Sequence, residues 1–115
     1  MTTVCRYAAV AGLALTGCDD AEWRGRATAA AEQNIDAMLA DPAATFSRVQ
    51  VTGDGQTGQT CGYVSTASRP TARFIAYIDG SAGPYLEGGL GKPAMDEQDF
   101  EAAWQADCVR EGYRP

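Results

Sequence analysis

Residues 72–78, ARFIAYI, decide the fold of this chain. Aromatic and β-branched side chains fill the stretch, and such residues suit a pleated, half-buried surface. Phe74, Ala76 and Ile78 fall on one side and Arg73, Ile75 and Tyr77 on the other, the two-residue period of a strand. Upstream, residues 60–66 (TCGYVST) and 46–52 (FSRVQVT) read as two further strands, with Ser47, Val49 and Val51 on one face of the earlier one. The run GDGQTGQ at 53–59 supplies a turn between them and so predicts a hairpin. Downstream, Asp79-Gly80 opens a turn. Residues 84–87 read as a short edge strand, a place that tolerates Pro84, and residues 88–94 (GGLGKPA) as a loop.

Helical patterns flank the strands. Residues 20–40 predict a helix in which Ala31, Ile35, Met38 and Leu39 recur as one apolar stripe. Gly25 weakens its first turns, leaving residues 26–40 as its main body. Asp41-Pro42 ends it, because the residue before a proline is disfavoured in the α region, and Asp41 can cap a short turn after it. A second helix spans residues 97–111, capped by Asp96 and stopped by Gly112, with Phe100, Ala103, Trp104, Asp107 and Cys108 on one face. The expected fold is α+β: a small three- to four-stranded antiparallel sheet with an N-terminal and a C-terminal helix. The chain shows no internal repeat and no second domain.

The N-terminus carries a different signal. Residues 1–6 hold one positive charge, Arg6, and residues 7–15 (YAAVAGLAL) are uncharged and mostly apolar. A run of this length suits the apolar region of a signal peptide and falls well short of the ~20 residues that span a bilayer. It ends in Leu15-Thr16-Gly17-Cys18, which resembles the lipobox of bacterial lipoproteins. The resemblance implies that residues 1–17 are a signal peptide and that the Cys18 thiol receives a diacylglyceryl group. The new amino group of Cys18 would then be acylated, palmitate being a usual chain. Several acyl chains give stable membrane attachment, where one would be marginal. On this reading residues 18–25 form a lipidated tether and residues 26–115 a single α+β domain facing the periplasm. Asp19, directly after the Cys, resembles a signal for retention in the inner membrane used by some Gram-negative bacteria.

Removing residues 1–17 leaves 98 residues with eight basic and fifteen acidic side chains, a formal charge of −7. An acidic chain without a basic cluster is a poor partner for nucleic acid or anionic lipid. Processing also divides the cysteines. Cys5 leaves, Cys18 carries lipid, and Cys61 and Cys108 remain. An even pair in an oxidising compartment reads as one disulfide, which would fasten the C-terminal helix to the second strand. The rival reading is a redox pair, but no Cys-x-x-Cys motif exists, and no histidine is present to activate a thiol.

The segments Asp41-Pro42…Phe46…Val49, Cys61-Gly62-Tyr63-Val64 and Phe100…Trp104…Cys108 are similar to those of a group of small secreted proteobacterial proteins. The resemblance implies a shared fold and a paired Cys61 and Cys108, and it carries no activity. The chain departs from the group's pattern at Ser65, where an asparagine is usual.

Candidate chemistry is sparse. Without histidine, Ser-His-Asp and Cys-His catalysis and the commonest metal ligand are absent. Lys92, the only lysine, lies in a Gly/Pro-rich loop, with Ser65 or Ser81 as paper partners for a Ser–Lys dyad. Asp79 and Glu87 could be read as paired carboxylates, although turn and edge-strand solvation accounts for them. Asp54 and Asp79 each precede a glycine and read as turn residues. Tyr63, Tyr77 and Tyr85 are candidates for recognition of protein or sugar, or else for covering the sheet beneath a helix. The run Ser81-Ala82-Gly83-Pro84-Tyr85 resembles a Ser-Gly-x-x-Tyr-type loop of periplasmic lysozyme inhibitors. The expected function is that of a membrane-anchored envelope lipoprotein, non-enzymatic, serving structure or protein recognition. The alternative is an inhibitor of an envelope hydrolase such as a lysozyme, with Tyr85 and the loops at 80–91 entering the target cleft. No catalytic residue, metal ligand or cofactor is assigned.

Overall fold

A computed structural model of the chain describes residues 14–41, 43–67, 70–80, 83–91 and 94–114. Helix α1 spans Ala14–Leu39, followed by strands β1 (Thr45–Thr52), β2 (Gln59–Ser65), β3 (Ala72–Tyr77), β4 (Tyr85–Leu86) and β5 (Leu90–Gly91). Helix α2 (Glu97–Ala103) then runs directly into a π-helical turn, Trp104–Val109. The strands lie in sequence order in one antiparallel sheet. Each strand therefore needs only a short turn to reach its neighbour. The α+β expectation holds: β1 to β4 form the expected antiparallel sheet, and the two-residue β5, inside the expected loop 88–94, adds a short fifth strand at its edge. Two details differ. Residues 84–87 are not the edge, because Leu90 pairs outside them with Leu86. The N-terminal helix starts before residue 20, so residues 18–25, expected as a tether, lie inside α1.

Both faces of the sheet are covered. On one, Ala31 and Ile35 of α1 meet Val64, Phe74, Ala76 and Leu86, with Met38, Leu39, Phe46 and Val49 around them. On the other, Phe100, Trp104 and Cys108 meet Cys61, Ile75, Tyr85 and Tyr113. The alternation read in residues 72–78 produces this division, since Phe74 and Ala76 serve the α1 face and Ile75 the α2 face. Full burial of each large apolar side chain contributes roughly 1.5–3 kcal/mol.

The expected common face of Ser47, Val49 and Val51 does not form. Ser47 stands opposite Tyr63 on the α2 side, whereas Val49 packs on the α1 side. The cause is a bulge between Ser47 and Gln50, where Arg48 takes a left-handed φ of 52°. An extra residue in one strand shifts the pleat by one and swaps the faces of the residues beyond it. Gly62 of β2 accommodates the bulge. A Cβ there would stand 3.0 Å from Val49 Cα and 3.1 Å from the Phe74 ring. The Tyr113 hydroxyl donates to the freed Arg48 carbonyl at 2.7 Å.

The helix ends obey their caps. Ala40, at φ 52°, closes α1, and the Asp41 carboxylate accepts from Ala43 N at 2.8 Å, beginning the short turn expected there. Pro42 lies outside the described residues. Asp96 accepts from Asp99 N at 2.8 Å and caps α2, with Glu97 and Asp99 at the positive end of the helix. The π turn is shown by Arg110 N donating to Gln105 O at 3.0 Å, five residues back. In an α-helix, residues four apart drift by about 40° around the axis. The wider turn reverses that drift, so Phe100, Trp104 and Cys108 all meet the sheet.

Candidate functional site

Cys61 and Cys108 form a disulfide with Cα atoms 6.1 Å apart, at a sequence separation of 47. Both are fully buried. The bond joins β2 to the π turn, as the helical stripe and the cysteine count lead one to expect. Closing a loop of this length stabilises by about 4 kcal/mol on the chain-entropy account.

The three tyrosines named from the sequence lie together on the α2 side, beneath the helix. Tyr63 meets Trp104 edge-on at 6.0 Å, and Tyr77 meets Tyr85 edge-on at 6.2 Å. Tyr85 is 7% exposed and belongs to the core. Its ring is therefore not at the tip of a loop, where insertion into a target cleft would need it. The Tyr77 hydroxyl donates to the Asp107 carboxylate. Burial, then that acidic partner, pushes the Tyr77 pKa well up. Of these rings Tyr63 and Tyr77 are half-buried and reach the surface.

An open polar cleft of about 690 Å³ lies at the end of the sheet that carries the β1–β2 turn, lined in part by Arg24, Thr52, Asp54, Gln59, Asp107 and Glu111. Its floor is a buried hydrogen-bond chain. Gln59 Nε2 donates to Thr52 Oγ1 at 2.6 Å, and Thr52 Oγ1 donates to the Asp107 carbonyl at 3.2 Å. The Arg24 guanidinium donates to the Val51 carbonyl and lies 4.8 Å from the centroid of the Trp23 ring. Asp54 accepts from Gln56 N at 2.8 Å and Thr57 N at 2.7 Å, and the bond from Thr57, then that from Gln56, holds its pKa down. The Thr52 and Thr57 hydroxyls are engaged within the fold, Thr57 with Asp54 at 3.1 Å. The cleft thus offers polar contacts and no nucleophile poised beside a base.

At the opposite end of the sheet, Arg73 is held between two acids. Its Nη2 stands 2.8 Å from Glu87 Oε2 and 2.7 Å from Glu101 Oε1. Its guanidinium lies over Phe100 and Trp104, at 5.4 and 5.2 Å from their centroids. The hydrogen bond from Arg73 holds the Glu87 and Glu101 carboxyls below the usual range and raises the Arg73 pKa. Glu87 is kept ionised and is unsuited to act as a general acid. Arg73 N donates to Glu87 Oε1 at 3.1 Å, so Glu87 sits beside residue 73. The end of β3 at Tyr77 is four residues further along the strand, about 13 Å away at strand rise, and Asp79 lies beyond it in the turn. That separation is too great for the pair to flank one glycosidic bond.

Ser65 Oγ is 2.9 Å from Thr71 Oγ1, whereas Ser81, Ala82 and Lys92 lie outside the described residues, as do residues 1–13 of the expected signal peptide. Cys18 lies within α1. Among the described residues no group of three or more His, Cys, Asp or Glu could hold a metal ion, and no helix is long and apolar enough to cross a membrane. Sequence reasoning passed over Arg24, Thr52, Gln59 and Tyr113. Arg24, Thr52 and Tyr113 each bond a distant element and Gln59 supports Thr52 from the paired strand, roles that nothing in their local sequence marks. Comparison with protein-family models, curated proteins and solved structures finds no match to this chain.

Proposed function

We propose that this chain is a lipid-anchored, periplasm-facing module of the bacterial envelope that holds or recognises a protein partner and performs no catalysis. The observation that carries the reading is Leu15-Thr16-Gly17-Cys18 after a charged start and a short apolar run. The use of the remaining thiols supports it, because a structural disulfide persists in an oxidising compartment. The polar cleft and the half-buried Tyr63 and Tyr77 are the surfaces from which recognition would be built. Charge argues against nucleic acid as the partner.

Metabolic labelling with a fatty acid, combined with separation of inner and outer membranes, tests the anchor. Cys18→Ser should abolish the label and leave the precursor uncleaved or release the protein. Unchanged labelling would refute the reading. Crosslinking in intact envelopes tests the binding role, which predicts one discrete adduct; turnover of any envelope polymer by the purified protein would overturn it.

A further inference from the structure

The distance between the anchor and the fold is short, and it is helical. Helix α1 is continuous from Ala14 to Leu39. It is already docked at Trp23, whose ring lies 3.7 Å from where a Cβ on Gly55 would stand, and at Arg24, which donates to the Val51 carbonyl. Four residues, Asp19 to Glu22, separate Cys18 from Trp23. At 1.5 Å per residue Cys18 stands about 7.5 Å along the axis from the docked ring. Glu22 reaches Arg26 one turn on at 3.8 Å. Cleavage before Cys18 would bring Asp19 and Asp20 from the helix interior into its first turn, where acids favour the helix dipole.

Trp23 also identifies which end of the domain is nearest the anchor. Gly55 sits in the β1–β2 turn, and Ile78 N donates to Gly58 O at 3.0 Å, which brings the turn after β3 to the same end. The N-terminus of α2 and the Arg73 cluster lie at the other end, separated from it by the length of β2, about 23 Å for its seven residues.

Resting on the lipoprotein reading, we infer that the lipid on Cys18 is joined to the domain without a flexible tether. The domain is held at the headgroups by its β1–β2 turn end, with the α2 N-terminus directed away. The partner surface is therefore the lipid surface itself. Asp54 and Asp79 at this end share the sign of anionic headgroups, so proximity is imposed by the anchor and not by surface attraction.

The test uses the lipidated full chain in vesicles that carry a dansyl-labelled headgroup lipid. Tryptophan-to-dansyl energy transfer is compared between the native chain and Trp23→Phe, and the difference reports Trp23 against Trp104. A third protein carries about twelve Gly/Ser residues inserted between Asp20 and Ala21, a coil of about 20 Å r.m.s. length. The inference expects strong Trp23-dependent transfer in the native chain and at least a threefold fall after insertion. Absence of that transfer, or transfer unchanged by the insertion, overturns it. Co-flotation with the vesicles is read separately. A native chain that floats but shows no effect of the insertion sinks the rigid coupling alone, whereas one that does not float refutes the anchor and the inference with it.

Discussion

The two faces of the sheet are held by different physics. The α1 face is apolar: Ala31 and Ile35 press on Phe74 and Leu86. Arg24 adds a hydrogen bond to the rim of β1. The α2 face carries the disulfide, the Tyr77–Asp107 bond, the Thr52–Asp107 bond and the pairing of Arg73 with Glu101. Packing on the first face is additive and weakly directional. On the second, covalent and polar contacts fix the register of a helix that is only seven residues long before its π turn. A helix so short is marginal alone and depends on such contacts. The long α1 has its own backbone cooperativity and needs only a stripe.

Removing the disulfide by Cys61→Ala with Cys108→Ala should have the largest effect, a loss of about 4 kcal/mol in urea unfolding. Hydrogen exchange should then show α2 and the π turn opening before α1; an unchanged order would break the contrast between the faces. Next, Ile35→Ala should cost about 3 kcal/mol by leaving a cavity under α1, and should do so equally with the disulfide intact or reduced. A cost that depends on the disulfide would mean that the faces are coupled through β2 and β3.

Gly62→Ala probes the strand between the faces. The added methyl must displace Val49 backbone or the Phe74 ring, at about 2 kcal/mol. Neutral behaviour in thermal unfolding would show that the bulge relaxes freely. The smallest effect is that of Arg73→Met, about 1 kcal/mol, because the pair is part-exposed and the stem still packs on Trp104. Its signature is in the pH dependence. Glu87 has a pKa lowered from 4.5 in the folded chain. The unfolded chain therefore binds more protons near that pH, and the Glu87 contribution is present above about pH 4.5 and lost as pH falls through the folded value. Arg73→Met should flatten this acid limb of the urea midpoint; an unaltered slope would remove Glu87 as its source. At the alkaline end Tyr77, raised from 10.0, keeps its proton in the folded state, so stability is full below pH 10 and declines above it.

Much of the architecture was legible because periodicity is local. The alternation of residues 72–78 and the stripes Ala31-Ile35 and Phe100-Trp104-Cys108 marked the faces that the structure buries. The Arg48 bulge was not legible, since FSRVQVT alternates well enough as a plain strand and only the pairing with β2 exposes the extra residue. The tyrosines were legible as strand residues, but their burial depends on where α2 lies. The cleft was illegible, because Arg24, Thr52 and Gln59 line it together with Asp107, residues that lie up to 83 positions apart in the sequence.

By itself the sequence marked the two helices and three main strands, the buried faces of β3 and of both helices, the expectation that Cys61 pairs with Cys108, and the lipobox resemblance that sets the expected address. These rest on neighbouring residues and on counting, where the physics is short-ranged. The tertiary structure alone decided that the sheet is covered on both sides, that β1 is bulged and that Tyr85 is core. It also placed α1 in contact with the β1–β2 turn five residues after Cys18. Such outcomes depend on which surfaces meet after the chain has folded back on itself, and no local pattern encodes that meeting.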